Sequence, residues 1–308
     1  MNKTLIALFT TVLLATTSYL SQEDPMRTLY SEWKQKYQAR FASQFEDEYR
    51  FEIFKQNYNY YQEVNSRQSS YKLGLNQFAT LTDEEFESIY LGGLDDSHVE
   101  VEENITSFNY PESVDWSRKL NPIKNQGQCG SCWSFSAVGA FEAYFIFTKG
   151  QYDIYSEQHL VDCDKYSYGC NGGFAGNAID YLNKNGAILE TKYPYNAKDN
   201  TCQQATGDPL ARGTGRKTWS TATQAYEAIA QYPISVSVHA SNWKGYTEGV
   251  FFDCINTSTN HAVVAVGYDK SGNWLIRNSW GTGWGLNGHI WLQSGNTCGV
   301  LRRLDQVI

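Results

Sequence analysis

No cysteine precedes Cys129, residues 25–67 hold no glycine, and only the first 21 residues are apolar enough to consider as a membrane span. Residues 110–308 carry no net charge, with 16 Asp/Glu against 16 Lys/Arg. A neutral body offers nucleic acid no electrostatic footprint. The cysteine-free stretch 22–109 is acidic instead, with 17 Asp/Glu against 8 Lys/Arg, a net of −9. What is present excludes a disordered chain: 41% of residues are apolar, and 22 Tyr and 9 Trp help bring aromatics to 15%. The 308 residues suffice for one large or two smaller cores, at roughly 100–200 residues per domain. The seven cysteines are an odd count. In an exported chain that means three bridges and one free thiol; in a cytosolic one it suggests metal or redox chemistry.

The N-terminus decides between these. Lys3 is followed by an apolar run, Leu5 to Ala15, broken only by Thr10 and Thr11, and then by small residues. This reads as a secretory signal over 1–18, too short for the ~20 residues a bilayer needs. A cut after Ser21 fits as well as one after Ser18. Asn104-Ile-Thr106 and Asn256-Thr257-Ser258 are glycosylation sequons usable in that compartment.

Apolar periodicity predicts helices over about 25–40 and 45–66. In the second, Glu46, Arg50, Phe54, Asn57, Tyr61 and Asn65 share one face, and a Glu46–Arg50 ion pair is the simplest use of it. Residues 83–103 hold nine acids and no Lys or Arg, and read as solvated linker. A boundary near residue 109 follows. Beyond it, helices are expected near 131–149, 156–162, 173–184 and 222–231. Strands are expected at 234–240, 261–268, 274–278 and 288–293. Helices first and strands second indicate an α+β body in two halves.

Cys129-Gly130-Ser131-Cys132-Trp133 opens the strongest helix. A thiol at a helix N-terminus meets the positive end of the dipole, which favours thiolate. Alone, Cys-x-x-Cys also fits a redox pair or half a zinc site. The βαβ setting of the first and the second ligand pair of the other are absent from the sequence. Downstream stand Asn260-His261-Ala262-Val263 and Arg277-Asn278-Ser279-Trp280-Gly281, with Gln126-Gly127 just upstream and Gly169-Cys170-Asn171-Gly172-Gly173 between.

These five ordered strings resemble the papain family of cysteine proteases. The Glu46–Asn65 series and Gly74-Leu75-Asn76-Gln77-Phe78-Ala79 resemble the inhibitory propeptide of its cathepsin L-like members. The resemblance implies a signal at 1–18, a helical propeptide at 19–109, and a two-lobed papain-like peptidase at 110–308, one lobe helical and one a β-barrel. It implies Cys132 as nucleophile, His261 as acid and base, Asn278 as its orienter, Trp280 as a shield and Gln126 as an oxyanion donor. Gly172, Gly173 and Phe174 would bind substrate. The bridges implied are Cys129–Cys170, Cys163–Cys202 and Cys254–Cys298. No cofactor or metal is called for. Partners would be protein and peptide substrates and the chain's own propeptide, acting as a monomer in a lysosome, vacuole or outside the cell. Only 31 residues separate Cys170 from Cys202, too few for the cleft-blocking loop of cathepsin B, so an endopeptidase is expected. A non-catalytic binding or inhibitory protein on the same fold is the alternative, though its usual sign, a replaced nucleophile, is missing.

Three departures stand out. Tyr61 replaces a typical isoleucine and Thr80 a typical aspartate. Arg303, five residues after Cys298, falls where relatives floor the second specificity pocket. There it would favour acidic side chains; the competing reading turns Arg303 to solvent and packs Leu301 or Val300 instead. The acidic propeptide against a neutral body also suggests acid-triggered release, through ion pairs lost at low pH, with self-cleavage near 105–110.

Overall fold

The computed structural model describes residues 24–93, 110–203, 211–254 and 258–308. The signal, both sequon asparagines, the acidic stretch 94–103 and the processing region up to 109 lie outside them. Among the described residues no helix is long and apolar enough to cross a membrane.

Helices α1 (Pro25–Tyr37) and α2 (Gln44–Arg67) come first. Asp24 caps α1 ahead of Pro25, and Ser43 Oγ caps α2 through the Glu46 N–H. They meet over a small aromatic core of Tyr30, Trp33, Phe51 and Phe54. The polar members of the α2 series then bind the returning chain. Arg50 reaches Thr80 O (3.1 Å) and Glu85 (2.6 Å), not Glu46 as expected. Asn57 Nδ2 donates to Ala79 O and Leu81 O. Asn65 exchanges bonds with both the N–H and the carbonyl of Leu73. A one-face series thus fixes strand β1 (Tyr71–Leu73) and the turn after it.

The linker reading of 83–103 is wrong at its start. Asp83–Tyr90 is helix α3. Thr82 and Glu85 form a reciprocal capping box, and the acids of the first turn suit the positive end of the dipole.

The body follows with β2 (Val114–Asp115), α4 (Cys132–Lys149), α5 (Glu157–Cys163), α6 (Ala175–Asn185), β3 (Arg216–Trp219), α7 (Ala222–Gln231), β4 (Ile234–Val238), β5 (Tyr246–Phe251), β6 (His261–Tyr268), β7 (Trp274–Arg277), β8 (His289–Leu292) and β9 (Leu304–Val307). One core joins α4, α5 and α6 through Trp133, Phe141, Leu160, Ile179 and Leu182. The other lies within the sheet, around Val236, Trp243, Tyr246, Trp274, Ile276 and Ile290. The strand order is β1-β5-β8-β7-β6-β4-β9-β3, with β2 also on β6. All eight residues of β6 are buried. Ser136 of α4 fastens the two halves by bonds to Ser235 Oγ (2.7 Å) and Val263 O (2.6 Å). At one end β1 pairs antiparallel with β5, Tyr71 opposite Gly249, so the N-terminal segment caps the sheet's edge.

Candidate active site

Cys132 is the first residue of α4 and lies at the junction of the two halves. It is the free cysteine; Cys129 is bonded to Cys170, Cys163 to Cys202 and Cys254 to Cys298. The Cys129–Cys132 pair of the redox reading therefore does not exist here. Backbone N–H groups of Ala262, Gly92, Trp133 and Gly93 bond towards the sulfur. Full burial outweighs them and pushes the thiol up to about 11.

His261 opens β6, and Asn278 directly follows β7, two neighbouring strands. His261 Nε2 lies 2.9 Å from Asn278 Oδ1. That oxygen also accepts from the Ser279 N–H (2.8 Å), so it is the oxygen end of the amide, and Nε2 is the donor. In the neutral ring the lone pair is then on Nδ1, which is buried and without a hydrogen bond. Burial drives the imidazole down to about 4, against the opposing pull of Asn278. Trp280 stacks on the ring at 4.8 Å, and Trp284 stands edge-on to Trp280 at 4.7 Å, which keeps water from the His–Asn bond.

Gln126 is wholly buried. Its Nε2 donates to Cys129 O (2.9 Å) and to Tyr90 O (3.0 Å). Its Oε1 accepts from Ser279 Oγ, and its backbone carbonyl from Tyr195 Oη, both at 2.7 Å.

The N-terminal segment lies between these groups. Gly92 O accepts from the Gly173 N–H (2.8 Å), and the Gly93 N–H donates to Asn260 O (3.1 Å). A Cβ on Gly92 would run into the Gly130 carbonyl, and one on Gly93 would lie 2.7 Å from the His261 backbone. Only a glycine pair passes so close. The sulfur meets the amide N–H groups of this pair, while the carbonyl of Tyr90, two residues before Gly92, is bound away at Gln126.

Residues 110–307 match the papain family cysteine protease model, and residues 30–86 match the cathepsin propeptide inhibitor domain. This chain belongs to the papain family. Caricain from Carica papaya is 42% identical over 86% of this chain and 81% of its own length. Cathepsin L 2 of Paramecium tetraurelia is 40% identical over 92% and 93%. Among solved structures, digestive procathepsin L 3 from the Tenebrio molitor larval midgut is 29% identical with a TM-score of 0.85, covering 92% of this chain and 99% of that one. The recombinant stem bromelain precursor is 34% identical with a TM-score of 0.84, covering 92% and 99%. The protein is thus a papain-like, cathepsin L-like cysteine endopeptidase zymogen, inhibited by its own propeptide and acting on protein substrates.

In this zymogen the described part of the propeptide docks through apolar packing. Phe78 and Phe86 are buried and stand edge-on to Trp280, at 5.6 and 5.2 Å. Each such burial stabilises by roughly 1.5–3 kcal/mol. Among the described residues one ion pair, Lys244–Asp83, joins propeptide to body. Asp95, Asp96, Glu100, Glu102 and Glu103, on which the expected charge-held release also rests, lie outside the described residues.

The remaining sequence candidates are placed as follows. Gly172 and Gly173 line the cleft beside Gly92. Phe174 caps α6 without a side-chain bond. Arg303 is only 14% exposed and does not point to solvent. Its Nε bonds Asp305 Oδ2 (2.9 Å), and its guanidinium lies against Gly176, two residues after Phe174. Asp305 also binds Arg216 (2.6 Å), which binds Asp180. Sequence reasoning missed Ser279, Tyr195, Trp243 and the Gly92–Gly93 pair. Only the glycine doublet left a visible mark in the sequence.

Proposed function

We propose that loss of residues 19–109 yields a monomeric peptidase, 110–308, whose nucleophile is Cys132. The observation that carries this reading is the Gln126–Tyr90 bond: a buried carboxamide in the cleft already donates to a peptide carbonyl. With a substrate in the propeptide's place, that donor and the Cys132 N–H meet the scissile carbonyl oxygen. His261 Nδ1 takes the thiol proton, and the sulfur adds to the carbonyl carbon. The C–N bond breaks as His261 passes that proton to the leaving amine, and a thioester remains on Cys132. His261 then deprotonates the water that hydrolyses the thioester, and the proton returns to the sulfur. Asn278 holds the ring and Trp280 covers it.

Gly172 and Gly173 bind substrate backbone as Gly173 now binds Gly92. Phe174 and Arg303 shape the pocket for the second residue before the cut, with Arg303 as half of an ion pair. The signal at 1–18 directs the chain into the secretory pathway, towards a lysosome, a vacuole or the exterior, where three disulfides persist. Acid triggers maturation.

Mass spectrometry after acid incubation, with and without the epoxide inhibitor E-64, tests the whole reading. Loss of the propeptide and one adduct on Cys132 are expected. An unprocessed chain with no adduct on Cys132 would overturn it.

A further inference from the structure

The side chain of Lys244 is only 5% exposed, yet every hydrogen bond of its ammonium among the described residues runs to the propeptide. The acceptors are Asn57 Oδ1 (3.0 Å), Leu81 O (3.0 Å) and Asp83 Oδ1 (2.6 Å). An ammonium has three donors and no acceptor, so these three partners satisfy it. Gly245 beside it is covered by the Tyr61 ring, where a Cβ would collide. Activation removes all of these atoms together. The mature body is left with an uncovered cation next to Trp243 in the chain.

The propeptide itself shows where this cation stands along the cleft. Trp243, its neighbour, lies 6.3 Å from the His261 ring and 6.5 Å from Trp280, which stacks on His261. His261 protonates the leaving amine, so this wall flanks the leaving-group side. Helix α3 lies along the wall. At one end Tyr90 O occupies the Gln126 amide, in the middle Phe86 packs on Trp280, and at the other end Asp83 binds Lys244. The seven steps from Asp83 to Tyr90 span about 10 Å at ~1.5 Å per helical residue. An extended substrate covers that in about three residues, at ~3.3 Å each.

We propose that Lys244 is a specificity-determining residue of the mature endopeptidase, selecting protein substrates with Asp or Glu about three residues beyond the scissile bond. The inference rests on Cys132, His261 and Gln126 marking the scissile bond. Asp83 is the carboxylate that fills this subsite in the zymogen. The Lys244 side chain is nearly buried where Asp83 binds it, and a pair shielded in this way is stronger than a fully solvated one.

Internally quenched peptides of one sequence, carrying Glu, Gln or Lys at the third or fourth position after the cut, test this on the activated enzyme. Glu is expected to exceed Gln in kcat/KM by about two- to five-fold, the range of a modest ion pair, with Lys below both. The Glu advantage shrinks as salt rises from low to high concentration. Lys244→Gln is expected to cancel it. That variant also loses a propeptide contact and risks poor folding, so the wild-type charge series and its salt dependence decide independently. Equal rates for Glu, Gln and Lys overturn the proposal, as does a Glu preference that survives Lys244→Gln. In either case cleavage of the peptides leaves the Cys132 reading intact. No cleavage of any peptide, with no E-64 adduct, overturns both.

Discussion

Ser279 Oγ donates to Gln126 Oε1 at 2.7 Å, and together with the Nε2 bond to Cys129 O it sets which end of the Gln126 carboxamide faces the cleft. With the oxygen held, Nε2 must point at Tyr90 O. A carboxamide free to turn would present an acceptor to the developing oxyanion. Gln126→Ala is expected to lower kcat by about 10²–10³. Ser279→Ala, which only frees the amide, should cost about tenfold in kcat with KM nearly unchanged. Steady-state kinetics on the activated enzyme check both. An undiminished kcat for Ser279→Ala would show that other contacts set the amide.

In the zymogen burial acts on Cys132 and His261 in opposite directions. Burial raises Cys132 to about 11 and lowers His261 to about 4. Both shifts disfavour the charged forms. At pH 7 a thiol with that value is thiolate in roughly 10⁻⁴ of molecules, against a few per cent for a free cysteine. Iodoacetamide should therefore modify the unprocessed chain far more slowly than free cysteine, with a rate still climbing above pH 9. The processed enzyme should react quickly at neutral pH. Equal rates for the two forms would refute this.

The Gly92–Gly93 passage makes the zymogen sensitive to a single methyl group. A Cβ at Gly92 has the rigid Gly130 carbonyl in its way. Overpacking of this kind typically costs about 1–3 kcal/mol. Gly92→Ala is expected to leave propeptide attachment weaker and the unprocessed chain partly active on a small peptide. The assay is turnover by freshly purified zymogen at neutral pH. Full latency of the variant would mean the segment shifts without loss.

The strings proposed as catalytic were legible because each is local: Cys132 begins a helix, His261 begins a strand and Asn278 follows one. The four longest body helices and the strands at 234, 261, 274 and 289 were readable from apolar runs. Strands β3, β5 and β9 were not. Tyr246–Phe251, for example, mixes buried and part-exposed residues without alternation, and its partners lie far off in sequence. The Ser279–Gln126 bond spans 153 residues, and no pattern announces it. The error at 83–90 was avoidable. The acids drew attention to charge, while the Thr82-x-x-Glu85 capping signal was already in the sequence.

Arg303 tests how far pocket chemistry follows from one residue type. Its tie to Asp305 makes the local charge part of a balanced set, two arginines with Asp180 and Asp305. An acidic substrate side chain would have to displace a buried carboxylate that is already paired. A peptide library varied two residues before the cut should therefore favour Leu or Phe over Glu. A dominant Glu preference would instead show that Arg303 is free to bind substrate.

Acid release has a carboxylate placed for it within the propeptide itself, Glu85. Its hydrogen bond to Arg50 holds its carboxyl below the ordinary value, with help from the Thr82 N–H. A lowered folded value means stability that is present above the unfolded pKa of about 4.3 and lost as pH falls through the folded one. Glu85 joins α2 to the first turn of α3, and the last residue of α3 occupies the Gln126 amide. Protonation thus loosens the helix whose last residue occupies the Gln126 amide, without any charge crossing to the body. Glu85→Gln keeps the shape and removes the charge at every pH. It should let processing begin about one pH unit higher than in the parent chain, with a lower Tm at pH 7 and a smaller change in Tm between pH 7 and pH 4. Processing rates followed by gel across pH 3.5–7 give the answer. Superimposable profiles for the two chains would remove Glu85 from the trigger and return the weight to Asp83 and Lys244.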